Sequence, residues 1–234
     1  MKINNTFFVL DTETGGVDPN NASLMEIAGV VIKDFKIVKT YSSLVKSEDG
    51  SYKCNDFARK MHGISNEMCN LSGKLPIQIV KDLKAIRDEY FDGNPMTIIA
   101  HNASFDISFI KKMFVDAGCV LTSNNNDNEY DYNKIFSRNA IDTATMALLL
   151  RSQDKLPFDR CSLDNILLYY KVNTQEQARH SALGDAMMTV KAFANMYNDM
   201  FTIKAKNRQY DISSFETDFD DEKKLKSKNN EKDF

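Results

Sequence analysis

Short apolar runs and longer periodic stretches alternate along the chain. Thr6-Phe7-Phe8-Val9-Leu10 is continuous and apolar and stops at Asp11, the pattern of a buried strand. Ile27 to Ile32 and Ile37 to Val45 predict two more strands, and the short Lys33-Asp34 connection predicts an antiparallel hairpin beside the first. Thr97-Ile98-Ile99-Ala100 is another buried run, and Ala140-Ile141-Asp142 ends a brief strand. Elsewhere apolar residues recur at three and four. Ile79, Leu83, Ile86 and Tyr90 predict a helix over Leu75 to Tyr90. Ile107, Ile110, Phe114 and Ala117 predict a second, with Ser104 as its cap. Met146, Leu149 and Leu150 mark a third, and Ser162 caps a fourth over Leu163 to Tyr170. Ala182, Ala186, Val190, Phe193 and Tyr197 line a last helix from Ser181 to Met200. Thr122 to Asn133, with its Asn-Asn-Asn-Asp-Asn centre, predicts a loop. Three opening strands followed by alternating helices and strands give an α/β fold with a mixed sheet.

The 234 residues suit one medium domain with an excess, so the expected division is a domain over 1–202 and a charged tail over 203–234. No apolar run approaches the roughly 20 residues that span a bilayer. Met1 to Asn5 leads straight into strand-like sequence, so the expectation is an intracellular, cytoplasmic protein that is not secreted. Four cysteines without CxxC spacing predict reduced thiols and no zinc. A net charge of −3 excludes a general basic coat for nucleic acid. It leaves room for an enzyme that gathers carboxylates at metals and keeps cations along a substrate track.

Three segments carry candidate chemistry. Asp11 and Glu13 are two apart at a strand end, so both carboxylates share a face. Ionising both is costly unless a cation stands between them. Gly15-Gly16 then allow a tight turn and close approach of a ligand. A buried strand leads through His101-Asn102-Ala103-Ser104-Phe105 to Asp106, in the first turn of a helix, where an acid also complements the helix dipole. His180 precedes the final helix and Asp185 lies one turn inside it. Each segment alone has a plainer reading as a turn or a cap. Together, three element ends deliver four carboxylates and an imidazole.

In this combination the chain resembles the DEDDh, or DnaQ-like, 3′→5′ exonucleases, a proofreading family. The matching motifs are Asp11-Thr12-Glu13-Thr14-Gly15, His101 to Asp106, and His180 with Asp185. Met61-His62-Gly63-Ile64, Ile141-Asp142-Thr143 and Ser162-Leu163-Asp164 extend the likeness over roughly residues 6 to 200. Gly15 departs from the pattern, in which many members have a second threonine. The resemblance implies a ribonuclease H-like mixed five-stranded sheet flanked by helices. It implies a site for two divalent ions, Mg²⁺ or Mn²⁺, about 3.5–4 Å apart. Asp11 would bridge them, Glu13 and Asp185 would complete the ion that activates water, and Asp106 would serve the second. His180 would be the general base, since an imidazole titrates at about 6.5, near working pH.

The resemblance further implies that the backbone of Thr12 to Thr14 meets a terminal 3′-OH, and that Val17 and Phe105 pack against the last sugar and base. Phe105 is equally readable as a core aromatic, His62 as a turn imidazole, and Asn102 as a capping residue. His62 and His101 are the candidates to approach a phosphate or the terminal nucleotide. Asp142 fixes local backbone at a strand end. The implied substrate is nucleic acid with a free 3′ end, DNA first, cut to nucleoside 5′-monophosphates. An RNA-trimming enzyme of the same fold and a non-catalytic binding module are the alternatives. A polymerase is an implied partner. Gln209-Tyr210-Asp211-Ile212-Ser213-Ser214-Phe215 resembles peptides that dock on sliding clamps, although Glu216 replaces the usual second aromatic; a solubilising tail is the plainer reading.

Overall fold

A computed structural model describes residues 5–121, 129–174 and 180–201. The tail and its clamp-like peptide lie outside the described residues, as does most of the asparagine-rich loop.

Five strands form one sheet in the order β3-β2-β1-β4-β5. They are β1 (Thr6–Thr14), β2 (Leu24–Lys33), β3 (Lys36–Leu44), β4 (Met96–Ala100) and β5 (Phe136–Asp142). β1 pairs antiparallel with β2 and parallel with β4, and β2 alone runs against the other four. β2 and β3 are antiparallel, and β4 and β5 are parallel. The mixed sheet read from the sequence is therefore present. The hairpin turn is Asp34-Phe35, both at positive φ (51° and 63°), between paired Lys33 and Lys36. Two positive φ values match the twist of the flanking strands. Phe35 holds its place by stacking on Phe193.

Alternation along β1 splits the core. Phe8 and Leu10 face one apolar layer, with α3 (Pro76–Tyr90) and α4 (Ala103–Asp116). Val9 faces the other, with α6 (Thr143–Ser152), α7 (Leu163–Tyr169) and α8 (Ala182–Phe201). Helices thus cover both faces of the sheet. The stripe foreseen on α8 is buried at Ala182, Ala186, Val190 and Phe193. Met187, Met188, Ala192, Ala194 and Met196 are buried too, because α6 and α7 cover sides of α8 that the sheet does not.

Several expectations need correction. Asn102, not Ser104, is the N-cap of α4, held at φ 62°. Leu149 is exposed, and Ala147 takes its expected place in the core. Tyr132 and Asn133, read as loop, belong to the short α5 (Tyr132–Ile135), which buries Tyr132 against Phe114 and Phe136. Two short helices escaped notice, α1 (Asp56–His62) and α2 (Asn66–Ser72). Neither repeats an apolar period. They are set by their caps, Asn55 accepting from the Ala58 N–H and Ser65 from the Met68 N–H.

Candidate active site

The end of β1 is where the two layers deliver their acids. On the α8 face, Asp11, Glu13 and Asp185 each offer a carboxylate oxygen within 4.8 Å of the others. Asp11 and Glu13 arrive there because alternate strand residues share a face. Asp185 arrives on the first turn of α8, whose first hydrogen bond runs from the Asp185 N–H to the Ser181 carbonyl. The three are partly buried. Three converging carboxylates repel, and a set of hard oxygen donors is what Mg²⁺ or Mn²⁺ prefers. The residues therefore fit a divalent cation.

Asp106 reaches the site from the other face. It is buried on the first turn of α4, and the Thr12 hydroxyl donates to its Oδ1 at 2.8 Å. Burial pushes its carboxyl up to about 7, the Thr12 bond working in the opposite direction. Thr12 thus ties the two acid sets together across the strand. Thr14 donates to the Gly16 carbonyl at 2.8 Å, which tightens the turn. Both threonines are buried.

His180 is exposed and sits at φ 63°, two residues before α8. Ser181 caps the helix by accepting from the Gly184 N–H at 3.2 Å. Val17, at the tip beyond the turn, is 86% exposed. Phe105 divides its surface: it packs on Phe109 at 5.1 Å between ring centres yet is only partly buried. His62 accepts from the Ile64 N–H at its Nδ1, and its Nε2 lies 3.8 Å from the Cys54 sulfur. Burial, and then Arg59, hold its pKa below the usual value. His101 Nδ1 lies 3.0 Å from the Thr143 hydroxyl, and burial lowers its pKa as well. Asn102 uses its backbone N–H, which donates to Asp142 Oδ1 at 2.9 Å, and makes no side-chain cap bond. Asp142 also caps α6 through the Ala144 N–H, the structural role its position at a strand end had suggested.

Two elements of this region were missed in the sequence. The Asn55 N–H donates to the Gly15 carbonyl at 2.9 Å, which anchors α1, and with it His62, to the turn after Glu13. Glu26 stands opposite Glu13 across the β1–β2 ladder. Its signal was a lone carboxylate inside the apolar run Leu24 to Ile32.

The acids gathered at the end of β1 form a set that could hold a divalent cation, and comparison with known proteins supplies the family. Residues 8–193 match the Exonuclease (RNase T) family model, and the chain belongs to that family. The DnaQ-like resemblance and the ribonuclease H-like fold are thereby borne out. Among relatives, the PolC-type DNA polymerase III of Thermotoga petrophila is 29% identical over 192 residues, which are 81% of this chain and 12% of that one. Among solved structures, exonuclease I of Methylocaldum szegediense has a TM-score of 0.66 at 16% identity, over 85% of this chain and 41% of that one. E. coli exonuclease I in complex with a dT13 oligonucleotide has a TM-score of 0.60 at 16% identity, over 85% and 44%. The chain therefore spans about an eighth of the polymerase and under half of the exonuclease I chains.

Proposed function

We propose that the chain is a 3′→5′ exonuclease that removes nucleoside 5′-monophosphates from the 3′ end of DNA, with residues 1–202 as the catalytic unit. The convergence of Asp11, Glu13 and Asp185 oxygens within 4.8 Å, at the start of the helix that follows His180, carries the reading. Family membership and the DNA-bound exonuclease I neighbour support it.

Asp11, Glu13 and Asp185 would hold divalent metal, with Asp106 contributing from behind Thr12. Two such ions, Mg²⁺ or Mn²⁺, would when bound supply an activated water and stabilise charge on the leaving 3′-oxygen. The imidazole of His180 takes the proton of the attacking water, and its exposure leaves it room to do so. The backbone of Thr12 to Thr14 receives the terminal 3′-OH. Val17 and the outer side of Phe105 pack on the last sugar and base, while His62, His101 and Asn102 line the approach of the phosphate. Stacking of this kind accepts any base, as an exonuclease requires.

Matched single-stranded DNA, duplex DNA and RNA, each labelled at the 5′ end, test the substrate. The reading expects single-stranded DNA to be shortened fastest in Mg²⁺. Faster loss of RNA would transfer the assignment to RNA trimming, and no loss of any polymer would leave a binding module. A polymerase as partner is part of the proposal, supported by the polymerase relative. Among the described residues no helix is long and apolar enough to cross a membrane.

A further inference from the structure

β2 carries one carboxylate in a buried apolar run, and that carboxylate touches the helix that carries Asp185. Glu26 Oε2 accepts from the Ala182 N–H at 3.1 Å, and its Oε1 accepts from the Ser42 hydroxyl at 2.8 Å. Ala182 is the first residue of α8, two positions after His180 and three before Asp185. We propose that Glu26 is a positioning residue for the nuclease reaction: it fastens the start of α8 to the sheet and so sets where His180 and Asp185 stand relative to Asp11 and Glu13.

Three observations carry this. Ser181 satisfies the Gly184 N–H, but that bond is internal to the helix end and cannot place it. The Glu26 bond joins residues 156 apart in sequence and does place it. Glu26 is paired with Glu13 in the ladder, so one strand pair positions both a carboxylate of the site and the tether of the facing helix. His180 is a non-glycine residue at φ 63°, a conformation that persists only when its surroundings impose it, and the tether two residues on is one such restraint.

The chemistry suits a carboxylate. Two acceptor atoms meet two donors, and a negative charge is favoured at a helix N-terminus. Against this stands repulsion from the neighbouring acids. The arrangement therefore spends electrostatic stability on geometry. Glutamine can keep both contacts, its oxygen accepting from the Ala182 N–H and its amide donating to the Ser42 oxygen. Alanine keeps neither, and aspartate is one methylene too short.

The inference rests on the exonuclease reading, so the test has one arm that does not depend on activity. In the full chain without metal, Glu26→Ala and Glu26→Asp should speed hydrogen exchange of the Ala182 amide by about 10–100-fold, the worth of one charge-assisted hydrogen bond. Glu26→Gln should not. In Mn²⁺, the first two should lower kcat by about 10–100-fold with KM nearly unchanged, and the glutamine variant should restore kcat. A purely structural role would lower the melting temperature and leave kcat per folded molecule untouched. That result, or unchanged Ala182 exchange in Glu26→Asp, overturns the proposal. If Glu26→Ala does not fold, the aspartate and glutamine pair decides. A wild-type chain that cuts no nucleic acid would sink the exonuclease reading, while the exchange arm still judges Glu26.

Discussion

Gly15 follows the acids of β1 at a turn that leaves no room for a side chain. A Cβ built on Gly15 would lie 2.0 Å from the Lys53 carbonyl oxygen and 2.7 Å from the Cys54 Cα. Both are backbone atoms, so neither can rotate aside. The segment is also stitched in place: the Gly15 N–H donates to the Ser23 carbonyl at 2.7 Å, the Ser23 N–H to the Lys53 carbonyl at 2.9 Å, and the Asn55 N–H to the Gly15 carbonyl at 2.9 Å. Gly15→Ala must move 53–55 outward by about 1 Å, at an overpacking cost of about 1–3 kcal/mol. Weakening two of these hydrogen bonds adds about 0.5–1.5 kcal/mol each. For a chain of this size the sum, about 2–6 kcal/mol, lowers the melting temperature by roughly 4–24 °C. Misplacing the turn after Glu13 should also cut the nuclease rate by about 10²-fold. Gly16→Ala is the control. Its Cβ would meet only side-chain atoms, Ala22 Cβ at 3.1 Å and Asn55 Nδ2 at 3.2 Å, and its melting temperature should fall less. Differential scanning fluorimetry in EDTA reads both. A Gly15→Ala protein that melts with the wild type would show that 53–55 does not confine the turn, and the argument would fail.

Three further outcomes follow from the site. Asp106 has a folded pKa raised above its unfolded value, so its contribution is present in full below about pH 4 and is lost as pH rises towards 7; urea titrations of the metal-free protein should show that decline, and Asp106→Asn should flatten it. Thr12→Val leaves Asp106 Oδ1 without its donor and should cost about 1–3 kcal/mol in the same titration at pH 8; a change too small to measure would mean that the bond is dispensable. His180→Ala should lower kcat by about 10²–10⁴-fold while Mn²⁺ affinity by calorimetry holds, and a collapse of that affinity would make His180 a ligand instead.

The sequence was most legible where a period and a chemical motif coincide. β1 opens as a continuous apolar run that stops at Asp11, with Glu13 two residues on, so both the strand and its carboxylates could be read from Phe7 to Glu13. α8 was legible from its apolar stripe, and Asp185 from its place one turn in. What failed was local chemistry without periodicity. Asn102 caps α4 through a left-handed backbone, which Ser104 as the expected cap concealed. α1 and α2 are seven residues each, too short to show a face, and depend on their caps, α1 also on contact with the turn at Gly15. Glu26 acts through a partner 156 residues away, a pairing that only the folded sheet creates. The relation of Asp106 to Thr12 was hidden for the same reason, since the two lie 94 residues apart.

The central claim is that the acids at the end of β1 remove nucleotides from a 3′ end. Single-stranded DNA labelled either at its 5′ or at its 3′ end, incubated with wild-type protein and Asp185→Ala in Mg²⁺ and in EDTA, tests it most directly. With wild type in Mg²⁺, the 5′ label should descend through a ladder and the 3′ label should appear at once as a mononucleotide; EDTA and Asp185→Ala should leave both strands whole. Release of the 5′ label first, or an undiminished ladder with Asp185→Ala, would contradict the account.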